Sequence, residues 1–126
     1  MSLLTEISAY LATQNVGTVG ADIFLGLMPD QPDNCIALFE YAGSPPDLHW
    51  EGEYPRLQVR VRDKSYAAAR AKTGTVAALL HGLCEQTLSG TRYLLIKALG
   101  APEILKRDNN NRVELFVNFE IMKERE

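Results

Sequence analysis

The sequence predicts an α+β fold, a mostly antiparallel sheet flanked by an N-terminal helix and one long central helix. Three observations carry the prediction. Leu4, Ile7 and Leu11 fall at helical spacing near the N-terminus. Two runs, Arg56 to Arg62 and Arg112 to Met122, alternate apolar and polar residues as half-buried strands do. Between them, Tyr66, Ala69, Thr73, Val76, Leu80 and Leu83 form the inward stripe of a helix.

Each element follows in order. Ser2 is placed to cap the first helix, and Asn15-Val16-Gly17 closes it, because Asn and Gly accept the left-handed conformation of helix ends. A short apolar run from Asp22 to Met28 reads as a strand stopped by Pro29, Asp30, Pro32, Asp33 and Asn34. Cys35 to Tyr41 is a second strand, apolar enough on both faces to be buried on much of each. Gly43 to Pro55 holds three prolines and two glycines and reads as a long loop. In the next strand Leu57, Val59 and Val61 face one way, and Arg56, Gln58, Arg60 and Arg62 the other. Ser65 caps the central helix, which Gly74 and Gly82 weaken by about 1 kcal/mol each relative to alanine. Ser89-Gly90 releases the chain into a strand from Arg92 to Leu99. Glu103 to Arg107 leads to Asp108-Asn109-Asn110-Asn111, a plain turn signal. In the last strand Val113, Leu115, Val117, Phe119 and Ile121 share a face, and the charged tail Lys123 to Glu126 is expected to fray.

Composition narrows the class. At 126 residues the chain is expected to be one domain, residues 1–126, with a core that needs neither metal nor disulfide. Apolar residues at 46% and charged residues at 23% match an ordinary globular protein. A net charge of −3 lacks the basic footprint of a nucleic-acid binder. No apolar run approaches the roughly 18 residues of a membrane span, and Glu6 without a basic leader argues against a secretory signal. Cys35 and Cys84 have neither CxxC spacing nor histidine partners, so two buried thiols in a reducing cytoplasm are expected.

Nothing in the sequence marks a catalytic centre. His49 lies in the proline-rich loop and His81 on the central helix, neither within HExxH, and there is no GxSxG or phosphate-binding loop. Glu51 and Glu53 flank Gly52 beside His49, a pattern that solvent-facing loops also produce. No catalytic, cofactor-binding or metal-binding residue is assigned, no cofactor is expected, and the chain does not read as an enzyme. The stripe Arg56, Arg60 and Arg62 has three readings: the polar face of a strand paired to Glu114 or Glu120, a charged subunit interface, or an anion-binding surface. Leu48, Trp50 and Tyr54 place large apolar groups in a surface loop, as interfaces do, unless the loop tucks Trp50 into its own domain.

Taken in order, DIFLGLMPDQPDNCIALFEYAGSPPD and YPRLQVRVRDKSYAAARAK resemble a family of small tailed-phage proteins, the bacteriophage minor capsid proteins akin to tail terminator and tail completion proteins. The carrying pieces are the strand exit at Met28-Pro29, Pro32 to Leu38, the Gly43 to Pro46 loop, Leu57 to Arg62, and Tyr66-Ala67 opening the next helix. The resemblance runs over most of the chain and ends in Arg112 to Phe119. It implies a structural virion protein of a phage or prophage, assembled in the bacterial cytoplasm, that caps the tail tube or joins tail to head. Such proteins close into homo-oligomeric rings, typically hexamers, between the major tail tube protein and the head connector or neck proteins. They do so without a membrane or sequence-specific nucleic acid. A ring needs two different matching patches per subunit. The loop residues Leu48, Trp50 and Tyr54 and the arginines Arg56, Arg60 and Arg62 are the candidates. The alternatives are a neck or minor capsid subunit at the connector, and a non-virion oligomeric binding module using the arginine-rich strand.

Overall fold

The computed structural model of the chain describes residues 2–46 and 48–125. Helix α1 spans Leu3–Thr13, followed by strands β1 (Ile23–Leu25), β2 (Cys35–Ser44) and β3 (Gly52–Asp63). Helix α2 spans Tyr66–Leu80, and β4 (Cys84–Leu88), β5 (Thr91–Ala98), β6 (Glu103–Arg107) and β7 (Val113–Glu124) complete the chain. The α+β class is as expected. The sheet itself is mixed, because β1 pairs parallel with β2 while the remaining pairs are antiparallel. Its order is β1-β2-β3-β7-β5-β4, with β6 alongside the first half of β7 and β5 alongside the second.

Both helices lie on the side of the sheet that carries the apolar alternation. Ile7 and Leu11 of α1 and Val76 and Leu80 of α2 meet Leu38, Leu57, Val59, Val117, Phe119 and Ile121 in one core cluster. The caps are where the sequence puts them. The Ser2 hydroxyl accepts from the Thr5 amide at 3.4 Å, the Ser65 hydroxyl from the Ala68 amide at 3.2 Å, and Asn15 takes φ 61°.

Several expectations change. The central helix ends at Leu80 and does not reach Leu83, because His81 turns extended as its C-cap and Gly82 takes φ 83°. Tyr66 is accordingly exposed at the helix start, and only Ala69, Thr73, Val76 and Leu80 of the expected stripe are buried within it. Cys84–Leu88 is an edge strand, joined to β5 through Ser89-Gly90 with φ 50° and 89°, the two left-handed residues of a tight hairpin turn. Cys84 is therefore exposed, whereas Cys35 is buried and its thiol is pushed up by that burial. The long loop shrinks to residues 45–51. Pro55 lies inside β3 at a step in register against β2, between the positions Glu53 and Arg56 that pair with β7, where no ladder hydrogen bond is asked of its missing N–H.

The C-terminal tail, expected to fray, continues as β7 through Glu124; Glu126 lies outside the described residues. Lys123 is fully buried and ion-pairs with Glu53 at 2.5 Å, its ammonium 5.8 Å from the Tyr93 ring centre. Beyond that ring, the buried Glu6 carboxylate accepts from the Tyr93 hydroxyl at 2.8 Å and from the Thr91 hydroxyl. This polar chain ties α1 to three strands.

At the other end of the sheet two arginines hold the turn-rich segment between β1 and β2. Arg62 is 4% exposed and donates to the carbonyls of Asp33 (3.0 Å), Pro29 (2.6 Å) and Pro32 (2.7 Å). Arg112 bonds the Asp108 carboxylate at 2.8 Å and that of Asp30 at 3.0 Å, and also the Asp30 carbonyl. Segment 29–33 thereby gains backbone partners without a strand beside it. Arg62→Leu, which leaves those carbonyls without a donor, is expected to cost about 2–4 kcal/mol. Urea unfolding checks it, as a lower midpoint at unchanged slope.

Two carboxyls of this cluster titrate below the ordinary value of 3.8. Asp33 is lowered first by its hydrogen bond from Lys64, and Asp108 first by the Arg112 backbone amide. A depressed folded value means the contribution is present above the unfolded pKa and lost as pH falls through the folded one. Stability is expected to drop below about pH 3.8, and Asp33→Asn with Asp108→Asn should flatten that acid limb in urea titrations.

Candidate assembly surface

Because both helices cover one side, the other face of the sheet carries no helix. Strand register arranges its side chains in cross-sheet rows. Tyr41, Arg56, Glu120 and Lys97 form one, and Phe39, Gln58 and Asn118 the next. Ala37, Arg60, Phe116 and Glu103 follow, then Cys35, Arg62, Glu114 and Lys106. Opposite charges thus face one another across strands in the first and last rows, an arrangement that stabilises pairing.

The three arginines have different surroundings. Arg60 is half-buried, its guanidinium 4.6 Å above the Phe39 ring, and its Nε donates to Gln58 Oε1 at 2.6 Å. Gln58 in turn donates to Asn118 Oδ1 at 3.1 Å, which locks the middle rows together. Arg56 sits between Tyr41 and Glu120, and its buried Nε has no acceptor among the described residues. Burial pushes the neighbouring Tyr41 hydroxyl up, opposed by the Arg56 charge. Arg62 corrects the expectation of a single arginine face. It shares their side of β3 but lies beneath segment 29–33, hydrogen-bonded to that segment through Nε and Nη2 and buried away from the surface.

The loop beyond Tyr41 and Arg56 closes the same end of the sheet. Trp50 Nε1 donates to the Tyr54 hydroxyl at 3.0 Å, and the two rings meet edge to face with centres 6.4 Å apart. The indole lies directly over Gly52, where a Cβ would overlap it. Gly43 passes the Tyr54 carbonyl just as closely, so the β2–β3 hairpin needs glycine at both positions. Trp50 is thus half-tucked against its own hairpin, while Leu48 at the tip is 94% exposed. Of the loop carboxylates, Glu53 faces Lys123 and Glu51 faces Arg125 at 3.8 Å. His81 Nδ1 accepts from the Ala98 amide at 2.9 Å, tying the end of α2 to β5. Among the described residues, no three His, Cys, Asp or Glu groups are placed to hold a metal ion. No helix among them is long and apolar enough to cross a membrane.

The family model for bacteriophage tail terminator proteins matches residues 10–125. The chain belongs to that family. Membership makes this tail terminator relative a structural protein of the phage virion. A chain of a solved structure titled "Virion of native gene transfer agent (GTA) particle" is similar in fold, with a TM-score of 0.72 over 98% of this chain and 96% of that one. At 17% identity the likeness shows the fold alone. No curated protein matches the chain.

Residues that the sequence left unremarked as site candidates are Phe39, Tyr41 and Phe116, while Glu120 is the cross-strand partner it offered. Each follows from alternation on its own strand, but only register places it beside Arg56 and Arg60. Trp50 is the single tryptophan, so its emission reports the loop directly. Gly52→Ala is expected to expel the indole and shift that emission to the red, with a far-ultraviolet circular dichroism spectrum unchanged. An unshifted emission maximum would show that the indole does not rest on Gly52.

Proposed function

We propose that this family member terminates the tail. It closes as a homo-oligomeric ring, a hexamer, on the last turn of the tail tube and presents a surface to the head connector. Its partners are the major tail tube protein below and the connector or neck proteins above, joined during assembly in the host cytoplasm. Residues 1–126 act as one unit in this role, and the role is architectural, with no substrate or cofactor.

The helix-free sheet face is the observation that carries the reading. It is ordered by hydrogen bonds between Arg60, Gln58 and Asn118, and lined with Phe39, Tyr41 and Phe116. Aromatic residues and arginine are the types enriched where proteins meet, and charge there is paired across strands instead of displayed. Trp50 and Tyr54 extend the face at one end.

An anion-binding strand is less well supported. That reading needs three projecting guanidinium groups, and Arg62 is buried while Arg60 stacks on Phe39. A neck or minor capsid subunit would use the same face against different partners, and the deciding experiment separates the two.

Electron microscopy of tails from a lysate lacking this gene, with and without the protein supplied in trans, tests the role. Tubes of uncontrolled length or headless tails, rescued by the wild-type chain, are expected. Trp50→Ala and Arg60→Glu should rescue at least about tenfold less well, the effect of roughly 1.4 kcal/mol at an interface centre. Tails of normal length on filled heads in the absence of the protein would overturn tail termination and favour a connector accessory.

A further inference from the structure

Two surface features have no counterpart within the chain. One is Leu48, 94% exposed at the tip of the β2–β3 hairpin, with no apolar surface of its own subunit against it. The other is a shallow apolar groove between the last turn of α2 and the break that separates β5 from β6. Ala77, Ala78, His81, Ala98, Leu99 and Pro102 line it. Small side chains on the helix wall leave room above the groove floor, and Leu99 is itself 44% exposed.

The charges around the two features are opposite. In the sequence, Leu48 follows Asp47 and precedes Glu51, whose side chain is 84% exposed and, at 3.8 Å from its own subunit's Arg125, has carboxylate surface left for a second cation. The α2 wall of the groove contains no acidic residue at all. Arg70 lies on the same helical stripe as Ala77, Ala78 and His81. Its guanidinium folds along the helix over Gly74, where an added Cβ would stand 3.3 Å from Nη1. Among the described residues Arg70 makes no ion pair, so the rim of the groove keeps a free positive charge. An apolar knob with acidic flanks therefore matches an apolar groove with a basic rim.

Within one subunit the two do not meet, since Leu48 stays exposed. Two different, complementary patches on one chain are what a head-to-tail contact requires, and such contacts generate rings when the rotation closes. We propose that Leu48 of one subunit seats in the groove between α2 and the β5–β6 break of the next, with Glu51 facing Arg70 across the joint. This rests on the ring reading above and specifies how neighbouring subunits engage. The helix-free face is then left for the tube and connector proteins, so the ring contact and the docking contact use separate surfaces.

The test uses tails assembled in cells that supply the chain with Leu48→Cys and Ala78→Cys in a Cys84→Ser background. Cys84 is removed because it is exposed, whereas buried Cys35 stays. After treatment with a short bismaleimide, purified tails should give a ladder of linked subunits on denaturing gels, and either single cysteine variant should give none. Tails that hold the double variant in several copies without a ladder overturn the groove contact and leave the ring reading standing. Wild-type tails that hold a single copy, or none, overturn the ring reading and this contact with it. As a second measure, Leu48→Asp co-expressed with wild-type chain should enter tails at least about tenfold less often. Equal incorporation overturns the proposal.

Discussion

The pairing of β3 with β7 is the constraint on which the rest of this structure depends. Both strands are 12 residues long, and their register sets Leu57 against Phe119, Val59 against Val117 and Val61 against Leu115. The same register sends Arg56 to Glu120 and Arg60 to Phe116 on the opposite side. A slip of one residue would invert both faces at once, exposing the core and burying the charges. The apolar face demands cover and receives α1 and α2. The other face is ordered by its own cross-strand contacts and carries no helix among the described residues.

Buried charge at the two ends of this sheet holds the remaining segments to it. Lys123 and Glu6 reach Tyr93 from opposite sides and bind α1 and the C-terminal strand together. Arg62 and Arg112 gather the backbone carbonyls of 29–33, which have no strand partner. Such groups stabilise only while every member is paired, so each end tolerates little change. Between them, the sheet face is tied across strands by Gln58 and Asn118, and the 45–51 loop to the C-terminal strand by Glu51 and Arg125. Variation there alters what the subunit touches and leaves the fold in place.

How much was legible varies along the chain in a way that has physical causes. Strong alternation in Arg56 to Arg62 and Arg112 to Met122 announces the two central strands, and short-range cap chemistry at Ser2, Ser65 and Asn15 announces helix ends. Helical spacing carries the stripe from Leu80 on to Leu83 and hides β4, whose decisive signal is the Ser89-Gly90 turn that makes it a hairpin partner of β5. Lys123 looked like tail because a charged residue is normally solvated; its burial depends on Glu53 in a strand far away in the sequence. Of the candidate site, the sequence identified Trp50, Tyr54, Arg56 and Arg60 as surface groups. It could not separate Arg60 from Arg62, which share parity and composition.

By itself, then, the sequence determined the α+β class, the central strands, the caps and the resemblance to phage tail proteins. All of these rest on neighbours within one turn or one strand, or on the order of short motifs. Tertiary structure alone decided which polar residues are buried, which face stays open and which arginine reaches the surface. Those outcomes depend on the segment that packs across each side chain. Segment 29–33 covers Arg62 and leaves Arg60 half-buried against Phe39, a difference set by contacts about 30 positions away that no local pattern in β3 contains.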